Sequence, residues 1–301
     1  MGWRTVVVTQ HAKISLMTGN LVVQTDTDRY HIPVRDVGVL LIQTVQAVIT
    51  AAALVALAEV QAKVIFTGRD GQPICTTTGD YSNAQSAVTV QEQVAWPQER
   101  MMKLWTRIVA SKLQNQIRVA QFVNAPIENL QQELDQLEFN DITNREAVVA
   151  RRYFPLIFGD DFSRSDLTPI NAALNYGYAI LLSTVDQAIG VRGYLTCLGI
   201  HHARTDNAYN LGSDLMEPFR PIIDQWVSQQ KIRDFTPDIK YGLVDLLNVA
   251  MTYNGQQTIL RNAIPKYVGH CLDYLSGTVG TIQVEVEIPN EVSSHALNGT
   301  V

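Results

Sequence analysis

From Pro97 to Val123 the chain has no further proline and no glycine, and Leu104, Trp105, Ile108, Leu113 and Ile117 recur at helical spacing. Such a stretch must form a long helix buried on at least one face, and it divides the sequence into two regimes. The segments 3–9, 13–17, 21–25, 29–33 and 37–43 precede it. They are short, rich in Val, Ile and Thr, and punctuated by Gly19-Asn20, Asp26 to Asp28 and Arg35-Asp36, which reads as a small sheet. Thr50 is placed to cap a helix reaching about Gln61, and strands resume at 64–67 and 73–77 around a turn at Gly68-Arg69-Asp70-Gly71. Residues 79–86 are small and polar enough for a linker. Later helices are expected at 127–137, 145–158, 169–190, 218–229, 238–248 and 259–275, with Gly159, Gly190, Gly199, Gly255 and Gly277 as stops. Finally, Ile282, Val284, Val286 and Ile288 alternate with Gln283, Glu285 and Glu287, a strand pattern suited to an exposed sheet edge in this chain or in a partner. The expected fold class is α+β: a small N-terminal β domain (1–85), a larger all-α C-terminal domain (86–280) and a tail (281–301).

The 301 residues include 23 Lys and Arg against 29 Asp and Glu, a formal charge of −6 that argues against coating nucleic acid through overall positive charge. Cys75, Cys197 and Cys271 are too few and too scattered for a disulfide framework or a thiolate zinc cluster, which fits a reducing cytoplasm. The first residues carry too short an apolar run for an export signal. The most membrane-like stretch, 47–58, is about 12 residues long, whereas a helical span needs roughly 20, so no membrane partner is expected.

His201, His202, Asp214, Glu217 and the more distant Glu146 are the residues that can carry chemistry. One imidazole with carboxylates and no thiolate is a hard donor set, suited to Mg²⁺ or Mn²⁺. Pro218 places Glu217 at a junction of loop and helix, where it reads either as an outward-pointing ligand or as an ordinary helix-start acid. On the long helix Arg100, Lys103, Arg107 and Arg118 fall within about 60° of one another, a candidate DNA track or simply a solvated face; Lys112 falls off this stripe. Arg204 and Arg220 are candidate phosphate contacts, and Arg151 and Arg152 are expected to pair with Asp160 or Asp161. No Gly-rich loop ending in Lys occurs, so ATP is not implied.

Several motifs occur in order: Gly2-Trp3-Arg4-Thr5-Val6-Val7-Val8, Asn144-Arg145-Glu146, Phe158-Gly159-Asp160-Asp161-Phe162-Ser163-Arg164, Pro169-Ile170-Asn171-Ala172-Ala173-Leu174-Asn175-Tyr176-Gly177-Tyr178 and Asp214-Leu215-Met216-Glu217-Pro218-Phe219-Arg220-Pro221. Together they resemble the CRISPR spacer-acquisition integrases, the larger of the two universal adaptation proteins, in their type II form. The resemblance covers nearly the whole chain up to about Gly277. It implies a metal-dependent DNA endonuclease and integrase that joins the 3′-OH ends of protospacer DNA to the CRISPR repeat by transesterification. It puts the metal ligands at Glu146, His202 and Glu217, with Asp214 as a further catalytic acid, binding a second metal or orienting the first ligands. His201 is then a neighbour, and Asn171 and Tyr176 lie near the site, with core packing an equal reading for both. The β domain becomes a dimerisation domain and the helical domain the catalytic one. The implied partners are DNA, a second copy of the chain, a bridging dimer of the small ferredoxin-like adaptation protein, and the type II effector nuclease with an accessory DNA-ring protein. A stand-alone structure-selective nuclease and a non-catalytic DNA-binding scaffold are the alternative functions.

Overall fold

A computed structural model describes residue 2 and residues 4–68, 73–77 and 87–289; the turn at 68–71 falls largely outside these, and the expected linker at 79–86 wholly so. The chain divides into two compact units, Met1–Asn83 and Ala84–Val301.

The first unit contains β1 (Arg4–Val8), β2 (Lys13–Met17), β3 (Asn20–Gln24), β4 (Arg29–Pro33), β5 (Val37–Ile42), β6 (Val48–Ile49), α1 (Ala51–Glu59), β7 (Lys63–Thr67) and β8 (Pro73–Thr77). Two four-stranded sheets replace the single one expected, with orders β1-β5-β7-β8 and β4-β3-β2-β6. Thr18 and Gly19 both adopt positive φ, 47° and 74°, and so make the tight turn that sets β2 antiparallel to β3. Thr50 caps α1 by accepting the Ala53 N–H at 3.3 Å, and Leu57 of that helix is buried with Ile14, Leu21, Val37, Leu40 and Val64.

The second unit contains α2 (Ala87–Val94), α3 (Gln98–Phe122), α4 (Glu128–Asp135), α5 (Arg145–Phe158), α6 (Pro169–Val191), α7 (Asn210–Met216), α8 (Arg220–Gln229), α9 (Pro237–Asp245), β9 (Ala250–Tyr253), β10 (Gln256–Ile259), α10 (Leu260–Leu275) and β11 (Val286–Glu287). The long helix is α3, with Leu104, Trp105, Ile108 and Leu113 wholly buried. It packs against α5, α8 and α10 and against a 3-10 turn, Glu217–Phe219, that leads into α8. Helix α6 starts at Pro169 with the Thr168 hydroxyl accepting the Asn171 N–H at 3.2 Å, and it crosses α8 where Gly177 leaves no room for a side chain. A Cβ there would sit 2.4 Å from Ile223 Cγ2.

This unit is not purely helical. Asn254 and Gly255, with φ of 47° and 75°, turn β9 back onto β10, and β11 pairs antiparallel with the other edge of β9. The alternating tail therefore adds its strand to its own unit. Val284, Val286 and Ile288 are buried, and the Ile288 N–H points to Asn115 Oδ1 of α3 at 3.5 Å.

Gly177→Ala is expected to destabilise the helical unit by about 1–3 kcal/mol through overpacking against Ile223, read from denaturant midpoints.

Candidate active site

Three segments of the chain meet on one face of α3. Trp105 and Lys112, two helical turns apart, define that face. Glu146 is brought to it by the first turn of α5, which is fixed from outside: Asp141 accepts the N–H groups of Arg145 and Glu146 at 2.6 and 3.1 Å, and Asn144 accepts that of Ala147 at 3.2 Å. Glu217 is brought to it by the 3-10 turn, anchored when Asn115 Nδ2 of α3 donates to the Pro218 carbonyl at 2.9 Å.

The two glutamates converge on the Lys112 ammonium, which lies 2.5 Å from Glu146 Oε1 and 2.5 Å from Glu217 Oε2. The other Glu217 oxygen accepts from Arg220 at 2.9 Å, and the Arg220 guanidinium stacks 4.2 Å above the Tyr178 ring. Burial pushes the Glu217 carboxyl up, but Arg220 and Lys112 outweigh it and hold the group down at about 2. Burial likewise opposes the Lys112 charge, and Glu217 and Glu146 overcome that and leave its pKa raised. Behind Tyr178, the hydroxyls of Tyr153 and Tyr178 both donate to the buried Asp224 carboxylate.

The third segment is the loop before α7. Asp214, wholly buried on α7, accepts the N–H groups of Ile200, His201 and His202 at 2.7, 3.1 and 3.1 Å. It also binds His202 Nδ1 at 2.6 Å; an ionised carboxylate only accepts, so Nδ1 carries the proton. The loop can close this tightly because residue 199 is glycine: a Cβ would lie 2.3 Å from the His202 carbonyl oxygen and 2.7 Å from Asp214 Oδ2. The His201 ring stacks on Trp105 at 4.1 Å, and the His202 ring meets the same indole edge-on. Asp214 is thus an orienting group. Its hydrogen bond raises the His202 pKa against partial burial, with the charges of Asp214, Glu217 and Glu146 adding to the effect.

Among the described residues, no three His, Cys, Asp and Glu side chains are already arranged as a metal cage. Glu146 and Glu217 share one cationic position, and His202 is held by Asp214. The donor set still suits a hard divalent ion. Glu217 Oε2, buried beside the ammonium, makes no directed hydrogen bond, so the contact that holds it is one of charge.

The candidate basic track is divided. Lys103 and Arg107 are exposed on α3, whereas Arg100 donates to the carbonyls of Tyr274 and Val279 at 2.6 and 2.9 Å and so fastens the end of α10. Arg118 is half-buried against Asn115 and Glu287. Arg220 serves Glu217, and exposed Arg204 pairs with Asp206 at 2.9 Å. Arg152 pairs with Glu133 at 2.9 Å, together with Arg145 at 2.6 Å, in place of the expected Asp160 or Asp161. Asn171 braces the loop before α6 by donating to the carbonyls of Ser163 and Asp166, and Tyr176 packs edge-on to Phe235. Lys112 escapes a search for ligand types. Its signal in the sequence is a lone lysine on the apolar side of an amphipathic helix.

A β unit followed by a mainly helical unit is a fold shared with solved casposase and Cas1 structures. A casposase bound to its integration product matches 98% of this chain and 97% of its own, with a TM-score of 0.79 and 19% identity. A CAS1 protein from Thermotoga maritima matches 91% of this chain and 97% of its own, with a TM-score of 0.73 and 16% identity. In sequence, the model of the family CRISPR associated protein Cas1 matches residues 5–262, and the CRISPR-associated endonuclease Cas1 of Neisseria meningitidis serogroup C (strain 8013) is 31% identical over 277 residues, 89% of this chain and 90% of that protein. The chain belongs to the Cas1 family.

The raised His202 pKa carries a sign. Protonated His202 stabilises the fold fully below its ordinary 6.5, and that contribution is lost as pH rises through the raised value. An NMR titration of the metal-free protein is expected to give a His202 midpoint above 6.5 that Asp214→Asn moves back down; an unchanged midpoint in that variant removes Asp214 as the cause.

Proposed function

We propose that this Cas1 protein is a divalent-metal-dependent integrase of CRISPR adaptation, acting in the cytoplasm to join the 3′-OH of a DNA fragment to repeat DNA by transesterification. The observation that carries the reading is the convergence of Glu146 and Glu217, from separate elements, on one cationic position. Glu146, Glu217 and the second nitrogen of His202 are the groups that would hold Mg²⁺ or Mn²⁺. The bound ion would neutralise a phosphate oxygen and favour ionisation of the attacking hydroxyl.

The protein's own groups do the rest. Asp214 occupies His202 Nδ1 and so leaves Nε2 as the nitrogen for a ligand. Arg220 fixes Glu217 in its ionised form. Lys103 and Arg107 lie on the exposed side of α3, where they would meet DNA phosphates without any need for net positive charge. If water takes the place of the hydroxyl, the same groups hydrolyse the strand, which is the endonuclease activity in the name of the Neisseria relative. Family membership supports a homodimer through the β unit, a bridging dimer of the small ferredoxin-like adaptation protein, and cooperation with a type II effector nuclease and a DNA-ring protein. Among the described residues no helix is long and apolar enough to cross a membrane.

Glu146→Gln, His202→Ala and Glu217→Gln are each expected to fold and to lose strand joining by roughly a thousandfold in an assay with repeat DNA, Mg²⁺ and a 3′-OH fragment. A 3′-dideoxy fragment is expected to give no joined product; cleavage alone with both fragments would favour the stand-alone nuclease. Replacing Lys103 and Arg107 by Gln is expected to weaken DNA binding and to flatten the plot of log K against log salt by about 1.8, the value for two lost phosphate contacts. An unchanged slope would take the track off this helix.

A further inference from the structure

Glu146 and Glu217 are already bound to a cation that belongs to the chain. The Lys112 side chain is 7% exposed and that of Glu217 is 3% exposed, so water compensates neither charge. Lys112 rises from the middle of α3 between wholly buried Ile108 and Leu113, a position where a lysine without an acidic partner would be strongly unfavourable. Its ammonium reaches one oxygen of each glutamate at 2.5 Å, while Arg220 takes the remaining Glu217 oxygen.

A divalent ion held by the same two carboxylates needs the oxygens that the ammonium covers. With both present, the ion's two charges and the lysine's one would face two carboxylate charges in a site where Lys112 and Glu217 are almost fully buried. The ammonium can leave, because it ends a flexible four-carbon stem; the carboxylates stay near each other, because Asp141 and Asn115 fix the backbone that bears them and Arg220 holds the Glu217 side chain.

We propose that Lys112 is an exchangeable internal counterion. It is a positioning residue that keeps Glu146 and Glu217 together when no divalent ion is bound and leaves them when one enters. Metal entry and lysine release form one equilibrium. The inference rests on the metal reading of the site and adds to it a competitor supplied by the protein, which sets the apparent metal affinity below that of the bare ligands.

The test uses the full-length protein without DNA. Mn²⁺ is titrated calorimetrically into the wild type, Lys112→Met and a Lys112→Met/Glu146→Gln double variant, which removes a ligand without stranding the buried ammonium, and each is melted in EDTA and in Mg²⁺. Lys112→Met is expected to bind Mn²⁺ at least about tenfold more tightly than the wild type, because the competing state is gone. It is also expected to melt below the wild type in EDTA and to recover in Mg²⁺, even if it is unfolded without the ion. Equal or weaker Mn²⁺ binding by Lys112→Met, or failure to recover in Mg²⁺, overturns the exchange. If the wild type still binds Mn²⁺ and the double variant does not, the metal reading survives that failure. Absence of Mn²⁺ binding in all three proteins overturns both.

Discussion

A carboxylate buried as deeply as that of Glu217 is tolerable only against positive charge, and the helical unit is organised to supply it. Two cations reach it from opposite sides, Lys112 from α3 and Arg220 from the start of α8. Removing one member of such a cluster leaves an uncompensated buried charge, typically at a cost of about 3–5 kcal/mol. Elements that share the cluster are therefore held in register by charge as well as by apolar packing. The tyrosine pair on Asp224 extends the constraint, because Tyr178 is both the platform for Arg220 and a donor to that carboxylate.

The long helix is the common scaffold of these contacts. One face of α3 supplies the indole that carries His201, the ammonium that joins the glutamates and the amide that anchors the turn bearing Glu217. Its outward face leaves Lys103 and Arg107 in solvent. A single helix thus relates the acidic site to two exposed cations, without a loop between them. Rigidity of this kind is what phosphoryl-type chemistry asks of a protein, since positioning and charge are its main contributions.

Strands and long helices were legible in the sequence because period-two and period-3.6 patterns, glycine turns and a threonine cap are local. The acidic and imidazole residues were legible through the motifs that carry the family resemblance. Partners across space were not. Arg100 and Arg118 share a stripe with Lys103 and Arg107, yet two carbonyls claim the first and Asn115 and Glu287 the second. Lys112 looked like a stray from that stripe because the glutamates opposite it lie 34 and 105 residues further along the chain. The β9–β10 hairpin did have a local signal, Asn254-Gly255 between Tyr253 and Gln256, but the long helical runs on either side drew attention to Gly255 as a helix stop.

Asn115 links two distant parts of the chain. Its amide nitrogen holds the Pro218 carbonyl beside Glu217, and its oxygen faces the N–H of Ile288, while Gln225 of α8 donates to the Pro289 carbonyl. The side chain that clasps the turn carrying Glu217 is thus itself met by a segment 71 residues beyond Glu217 along the chain. A chain truncated before Ile288 would leave Asn115 of α3 and Gln225 of α8 each with one polar contact unmade, and would loosen the turn that carries Glu217 from a distance.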